Sequence, residues 1–271
     1  MPQNPAGTPN APPKPLSPGW IGTALILLTA AMIAFAWYAR PGLNWILVAL
    51  AMTAFIVVLG KGITGRALGF LINELKIMSL SRFQLALWTV IVVSAYFVIA
   101  IARVKQGDVA NPLVVQIDWQ IWALLGISAT SLVASPLLAN GKKLKQPADE
   151  KGAMKLAGKP FGEDAAAVTD NRVGVLYPNQ DISEARFTDM FEGEELADAS
   201  LIDLGKVQMF FFTIVVAVAY SAEVLHMVAV DDLAIDAIAL PAIHEGLLAL
   251  MGISHAGYLG SKGVTHTPST T

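Results

Sequence analysis

One hairpin pattern occurs twice in this chain. Arg82, Gln84, Trp88, Thr89, Ala95 and Tyr96 return at a constant offset as Lys206, Gln208, Phe212, Thr213, Ala219 and Tyr220. Downstream, Ala-Leu-Leu-Gly-Ile-Ser at 123–128 returns as Ala-Leu-Met-Gly-Ile-Ser at 249–254. Duplicated apolar segments mark a membrane fold built from repeated units. The duplication constrains architecture far more than chemistry.

Apolar residues make up 55% of the chain and charged residues only 14%, well short of the quarter charged that is usual for a soluble domain. Apolar runs at 20–39, 43–60, 84–102, 120–139, 208–230 and 237–260 are each close to the roughly 20 residues a helix needs to cross a bilayer. The expected fold is therefore an all-α membrane protein of six transmembrane helices, with two tandem parallel helical-hairpin repeats and a small cytoplasmic insert. The first run is too long, and too poor in upstream basic residues, for a cleaved secretory signal. With no cysteine, thiolate metal sites and disulfides are excluded. The slightly negative net charge argues against a nucleic-acid partner.

Basic residues sort onto alternate connections. Lys61, Arg66, Lys76 and Arg82 lie between the second and third runs, and Lys142, Lys143 and Lys145 follow the fourth. Retention of Lys and Arg on the cytoplasmic side predicts N-in, C-in topology. The organisation then reads as a Pro-rich disordered tail (1–19), a leading hairpin (20–60) and an amphipathic segment (61–82) whose Leu68, Leu71, Ile72 and Leu75 predict a helix on the membrane face. A first repeat hairpin (83–139), a cytoplasmic insert (140–206), a second hairpin (207–262) and a short tail (263–271) complete it. Both hairpins leave from and return to the same side, so the repeats are expected to be parallel about a pseudo-two-fold axis along the membrane normal. Within the insert, Arg172–Tyr177 predicts a strand and Ser183–Phe191 a helix capped by Ser183, the whole packing on its neighbours.

Ser-Leu-Ser-Arg-Phe-Gln-Leu-Ala-Leu-Trp-Thr at 79–89, Ser-Glu-Ala-Arg-Phe-Thr-Asp-Met-Phe-Glu-Gly-Glu-Glu at 183–195, Asp-Leu-Gly-Lys-Val-Gln-Met-Phe-Phe-Phe-Thr at 203–213 and Met-Gly-Ile-Ser-His-Ala-Gly-Tyr-Leu at 251–259 together resemble a family of uncharacterised bacterial multi-span inner-membrane proteins. The likeness covers roughly residues 60–262. It implies a bacterial inner membrane and carries no reaction, ligand or catalytic residue.

Three sets of residues stand out. Gly252, Ala256 and Gly260, with Gly126, Thr130 and Ala134 in the other repeat, form small-residue stripes of the kind that let membrane helices approach closely, within one chain or between subunits. Gln84, repeated as Gln208, predicts a tie from a helix end to the insert or to the neighbouring hairpin. Thr89 with Tyr96, and Thr213 with Tyr220, each share a helix face, and the threonine hydroxyls are expected to bond their own preceding carbonyls rather than another helix. Glu223 and His226, with Asp231, Asp232, His244 and Glu245, are candidates for a cation or metal site near the outer surface. Glu-x-x-His is a spacing used by carboxylate-bridged metals, but such centres need two copies and only one is present. Snorkelling of Glu223 and His226 to the interface, with Glu245 at the start of the last helix, is the simpler account. His255, deep in the last run, reads as a hydrogen-bonded core histidine rather than a proton relay.

The composite expectation is a scaffold or anchor subunit of a homo-oligomeric membrane complex, not an enzyme, needing no cofactor. Its partners are the lipid bilayer, further copies of itself and a cytoplasmic protein met through the insert. The alternative is a cation channel or transporter with an acidic outer vestibule.

Overall fold

A computed structural model describes residues 18–107, 111–149, 152, 172–199, 201–229 and 239–270. Within them run six helices: α1 Pro18–Tyr38, α2 Leu43–Thr64, α3 Leu80–Lys105, α4 Trp119–Lys143, α5 Leu204–Val228 and α6 Glu245–Gly263. The first five are long and apolar enough to cross a membrane. α6 has 19 residues and spends several on Gly, Ser and His. It starts at Glu245, later than the apolar run at 237–260 suggests, and Pro241 lies before it. Leu240 N donates to the Gln116 carbonyl at 3.0 Å, which holds the chain extended ahead of Pro241. Only at His244, whose Nδ1 accepts from Gly246 N at 3.1 Å, does helical geometry begin.

α3, α4, α6 and α5 close a four-helix ring, with each helix packed on the next in that order. α3 and α5 run in the same sense. Phe83 stacks near Phe210 at their first turns, 5.6 Å between ring centroids, and Trp88 meets Tyr220 edge-on deeper in at 6.3 Å. Much of the ring interior is apolar: Trp88, Ile99, Ile121, Leu124, Val224 and Met251 are fully or almost fully buried. α1 packs on α2, and both lean on α3 from outside the ring. Trp45 Nε1 on α2 donates to Ser94 Oγ on α3 at 2.9 Å.

The expected pseudo-two-fold does not hold. A two-fold axis through a four-helix ring puts like helices on its diagonals, whereas here α3 neighbours α5 and α4 neighbours α6.

The connection after α2 is not an amphipathic helix. After a single 3-10 turn at Gly69–Leu71, Ile72 bridges Met78 across a tight turn with Lys76 at φ 58°. Asn73 causes it, since its Oδ1 accepts from Leu75 N at 2.9 Å and Ile77 N at 3.3 Å, taking donors a helix would use. Leu71, Ile72, Leu75 and Met78 are buried against protein rather than lipid.

Residues 172–199 of the insert form a plate across the end of the ring where α3 and α5 begin and α4 and α6 end. The predicted strand Arg172–Tyr177 is a turn in which Val173 bridges Leu176. The predicted helix 183–191 is two 3-10 turns, Ile182–Glu184 and Phe187–Phe191, and the first is capped by Asp181 rather than Ser183. The Asp189 carboxylate interrupts it by taking Arg186 N at 2.8 Å, and it accepts Met78 N at 3.2 Å as well. Ala185, Met190, Met209 and Tyr258 make the plate's apolar contact with the helices. The C-terminal tail returns to pair strand β2, Ser269–Thr270, antiparallel with strand β1, Gln146–Pro147. The expected disordered tail lies largely outside the described residues.

Gly174 lets the plate reach α4. Its φ is +64°, and a Cβ there would lie 2.5 Å from both the Lys142 and Lys143 carbonyl oxygens. Gly141, inside α4, has open space at the same point. Gly174→Ala should therefore destabilise by more than about 2 kcal/mol. Gly141→Ala should be neutral or stabilising by up to about 1 kcal/mol. Thermal unfolding of the two variants in mild detergent tests the opposite signs.

Candidate functional site

The densest concentration of interacting charge lies where the plate meets the ring. Glu194 and Glu195 are consecutive, so their side chains diverge and engage different helices. Glu195 Oε1 receives Lys142 Nζ from the end of α4 at 2.6 Å, and its Oε2 accepts the backbone N–H groups of His266 at 3.0 Å and Thr267 at 2.7 Å. Glu194 Oε1 receives Lys262 Nζ from α6 at 2.8 Å and Lys206 Nζ from α5 at 3.2 Å. Two adjacent carboxylates thus tie three helix ends and the C-terminal tail. Burial by itself would raise the Glu194 carboxyl, but the Lys206 and Lys262 ammoniums outweigh it and hold it down at about 2. Glu195 is also held low: burial opposes ionisation, and the Lys142 hydrogen bond with the two backbone donors overcomes it.

A polar seam leads from this cluster into the ring between α4 and α6. Tyr258 Oη lies 3.3 Å from Lys262 Nζ, 2.9 Å from Ser135 Oγ and 3.4 Å from Ser81 Oγ. One turn deeper, Ser131 Oγ meets His255 Nδ1 at 2.6 Å. Leu124, Ser128, Ser131, Ser135, Ala139 and Lys142 form the inward face of α4, so its close packing on α6 uses serines. His255 is buried and hydrogen-bonded, and its Nε2 and Ser128 Oγ have no partner among the described residues.

The small-residue stripes lie elsewhere. Gly126, Thr130, Ala256 and Gly260 are exposed on the outside of α4 and α6, and a Cβ added at either glycine would meet nothing within 4 Å. Gly252 is half-buried, with Ile127 Cδ1 3.9 Å from where its Cβ would stand, and Ala134 is half-buried. Close helix contact along these stripes is therefore not made within one chain.

Of the repeated polar residues, Gln84 is fully buried and its Nε2 donates to Thr213 Oγ1 at 2.6 Å, while Thr213 donates to the Met209 carbonyl at 2.8 Å. Their counterparts do not reproduce this tie, since Gln208 is exposed and Thr89 half-buried. Tyr96 Oη donates to the Leu113 carbonyl at 2.8 Å, and Tyr220 is buried against Trp88, its hydroxyl without a partner among the described residues.

Glu223 and His226 are exposed on α5, and His244 and Glu245 are exposed at the start of α6. Asp231 and Asp232 lie outside the described residues. Among the described residues no group of three His, Cys, Asp or Glu side chains is placed to hold a metal ion. Glu194 and Lys262 escaped attention in the sequence because adjacent acids in a loop read as solvated. The usable signal was Glu-Gly-Glu-Glu at 192–195 in a chain with few charges and lysines at the helix ends. No family model, no characterised protein and no solved structure matches the chain.

Glu195→Gln leaves the buried Lys142 ammonium without its counter-charge and should cost about 3–5 kcal/mol, whereas Lys142→Met with Glu195→Leu should recover much of that loss. Denaturant unfolding in detergent reads both. Glu194 titrates near 4.5 when unfolded and about 2 when folded, so its stabilisation is complete above pH 4.5 and drains away as pH falls toward 2. Glu194→Gln should flatten the acid limb of the stability profile across that window.

Proposed function

We propose that this chain is a non-catalytic scaffold or anchor subunit of a homo-oligomeric complex in the bacterial inner membrane. All six helices span the bilayer, the two hairpins are tandem parallel repeats, and the plate with both termini faces the cytoplasm. The observation that carries the assignment is the contrast between the two kinds of polar or small surface. Several inward polar residues tie helices together, as Gln84–Thr213, Ser131–His255 and Ser135–Tyr258 illustrate, while Ser128 Oγ and the Tyr220 hydroxyl have no partner among the described residues. The small faces at Gly126, Thr130, Ala256 and Gly260 are bare in a single chain. In lipid, such faces are the ones another helix can approach closely. The plate, locked to three helix ends, offers a rigid cytoplasmic surface for a protein partner.

Cation transport through an acidic vestibule has less support. Glu223 and His226 are exposed on α5, and cavities of about 630, 340 and 30 Å³ lie at or near the plate end of the helices. The resemblance at 79–89, 183–195, 203–213 and 251–259 supports the bacterial membrane setting.

Gly126→Leu combined with Ala256→Leu should lower the assembly mass in mild detergent, by light scattering, with helix content unchanged. A wild-type mass of one chain, or a variant assembly of wild-type mass, would overturn the proposal. Glu223→Gln should leave cation flux in proteoliposomes at the empty-liposome background, as should the wild type. Flux that the substitution abolishes would establish the conduit reading instead.

A further inference from the structure

A cavity of about 630 Å³ is a groove on the membrane-facing side of the ring, in the size range of small-molecule sites. One wall is α3, where Arg82, Leu85, Ala86 and Thr89 share a face running about 10 Å along the helix axis. The other is α4, where Val133 and Leu137 line the groove and are also 60% and 64% exposed, so it opens sideways toward lipid. Pro136 in that wall has no N–H, which frees the Leu132 carbonyl from its helical partner. Ile56 of α2 closes one flank. At the plate end the apolar walls give way to Asn73, Glu74 and Ser79.

Four charges line this end, and two of them are already spent. Lys262 and Glu194 are hydrogen-bonded to each other at 2.8 Å. Arg82 and Glu74 make no side-chain hydrogen bond or ion pair with any described residue. The repeat makes this notable for Arg82, because its counterpart Lys206 is buried and consumed by the Glu192 carbonyl and the Glu194 carboxylate. The two hairpins thus put a cation at the same point, and the plate neutralises only one. A free guanidinium and a free carboxylate, at the polar end of an apolar groove two helical turns long, complement a head group that carries both an anion and a cation. A guanidinium is suited to bidentate hydrogen bonding with phosphate oxygens.

We propose that the groove seats one phosphatidylethanolamine-type phospholipid from the leaflet on the plate side, with its phosphate on Arg82, its ammonium at Glu74 and the upper part of one acyl chain against Leu85, Ala86 and Leu132. The proposal rests on the membrane setting of the helices and not on assembly. Its test is native mass spectrometry of the full-length protein, delipidated in detergent and then titrated with phosphatidylethanolamine, phosphatidylglycerol or diacylglycerol of matched acyl chains. Phosphatidylethanolamine should be retained at about one per chain and about tenfold better than the other two, the scale of one charge-assisted contact. Arg82→Gln should lower its retention about tenfold, and Glu74→Gln should level phosphatidylethanolamine with phosphatidylglycerol. Ala86→Trp should fill the groove and abolish retention. Val93→Trp, on an exposed face of α3 outside the groove, should not. Retention that survives both Arg82→Gln and Ala86→Trp would overturn the site, and equal retention of the two phospholipids by the wild type would overturn the head-group assignment. Displacement of bound lipid by millimolar inorganic phosphate would show a phosphate site rather than a lipid site. Assembly mass is read from the same spectra. A wild type without lipid whose mass falls on Ala86→Trp would identify the groove as a seat for a second copy and overturn the lipid.

Discussion

The ion pairs of Glu194 and Glu195 join three helix ends to the plate. Lipid-facing helices gain nothing by hiding apolar side chains from one another, so shape and polar ties must set their arrangement. The ends of α4, α5 and α6 each bring one lysine to adjacent carboxylates in the plate. The cost of desolvating these charges is recovered only while all the partners are in place. That condition makes the cluster specific: a plate shifted by one residue would strand three ammoniums in a poorly hydrated crevice. The tight passage at Gly174, the Asn73 turn and the Asp189 carboxylate then serve to bring the two glutamates to the correct point.

The same constraint explains why duplicated sequence does not yield duplicated contacts. Lys206 is drawn under the plate while Arg82 is left free, and Gln84 is buried against Thr213 while Gln208 is exposed. A two-fold pair of hairpins would make each contact twice. A ring with like helices as neighbours makes each contact once, because one face of every helix is covered by its own repeat and another by the copy. Each hairpin is then released to take a different local role.

How much of this was legible in the sequence depended on which force set each feature. Helices α1 to α5 follow from hydropathy, because bilayer thickness imposes a length and a composition that no tertiary contact can override. The late start of α6 was hidden by apolar residues around Leu240 and Ile243, which are buried in an extended segment where a helix was expected. The plate was misread because its short elements are shaped by side chains that capture backbone donors, as Asn73 and Asp189 do, and local periodicity is silent about such captures. Among candidate site residues, the Gln84 tie was anticipated from its repetition, yet its partner was not. The small stripes were visible as a pattern, but a helix has more than one face, and only packing shows that serines rather than glycines meet inside.

The seam between α4 and α6 accounts for the poor hydropathy of the last helix. Ser254, His255 and Tyr258 lower its apolar character and would argue against burial in lipid if they were exposed. All three are buried, and His255 and Tyr258 meet serines of α4, His255 Nδ1 at Ser131 and the Tyr258 hydroxyl at Ser135. An interface of serines brings the two backbones close and supplies acceptors in the same step, which a stripe of glycines cannot do. Gly126 and Ala256, exposed on the outside of α4 and α6, take no part in that interface. The inward faces thus specify one arrangement of α4 against α6, and the self-association proposed above falls to the outward ones.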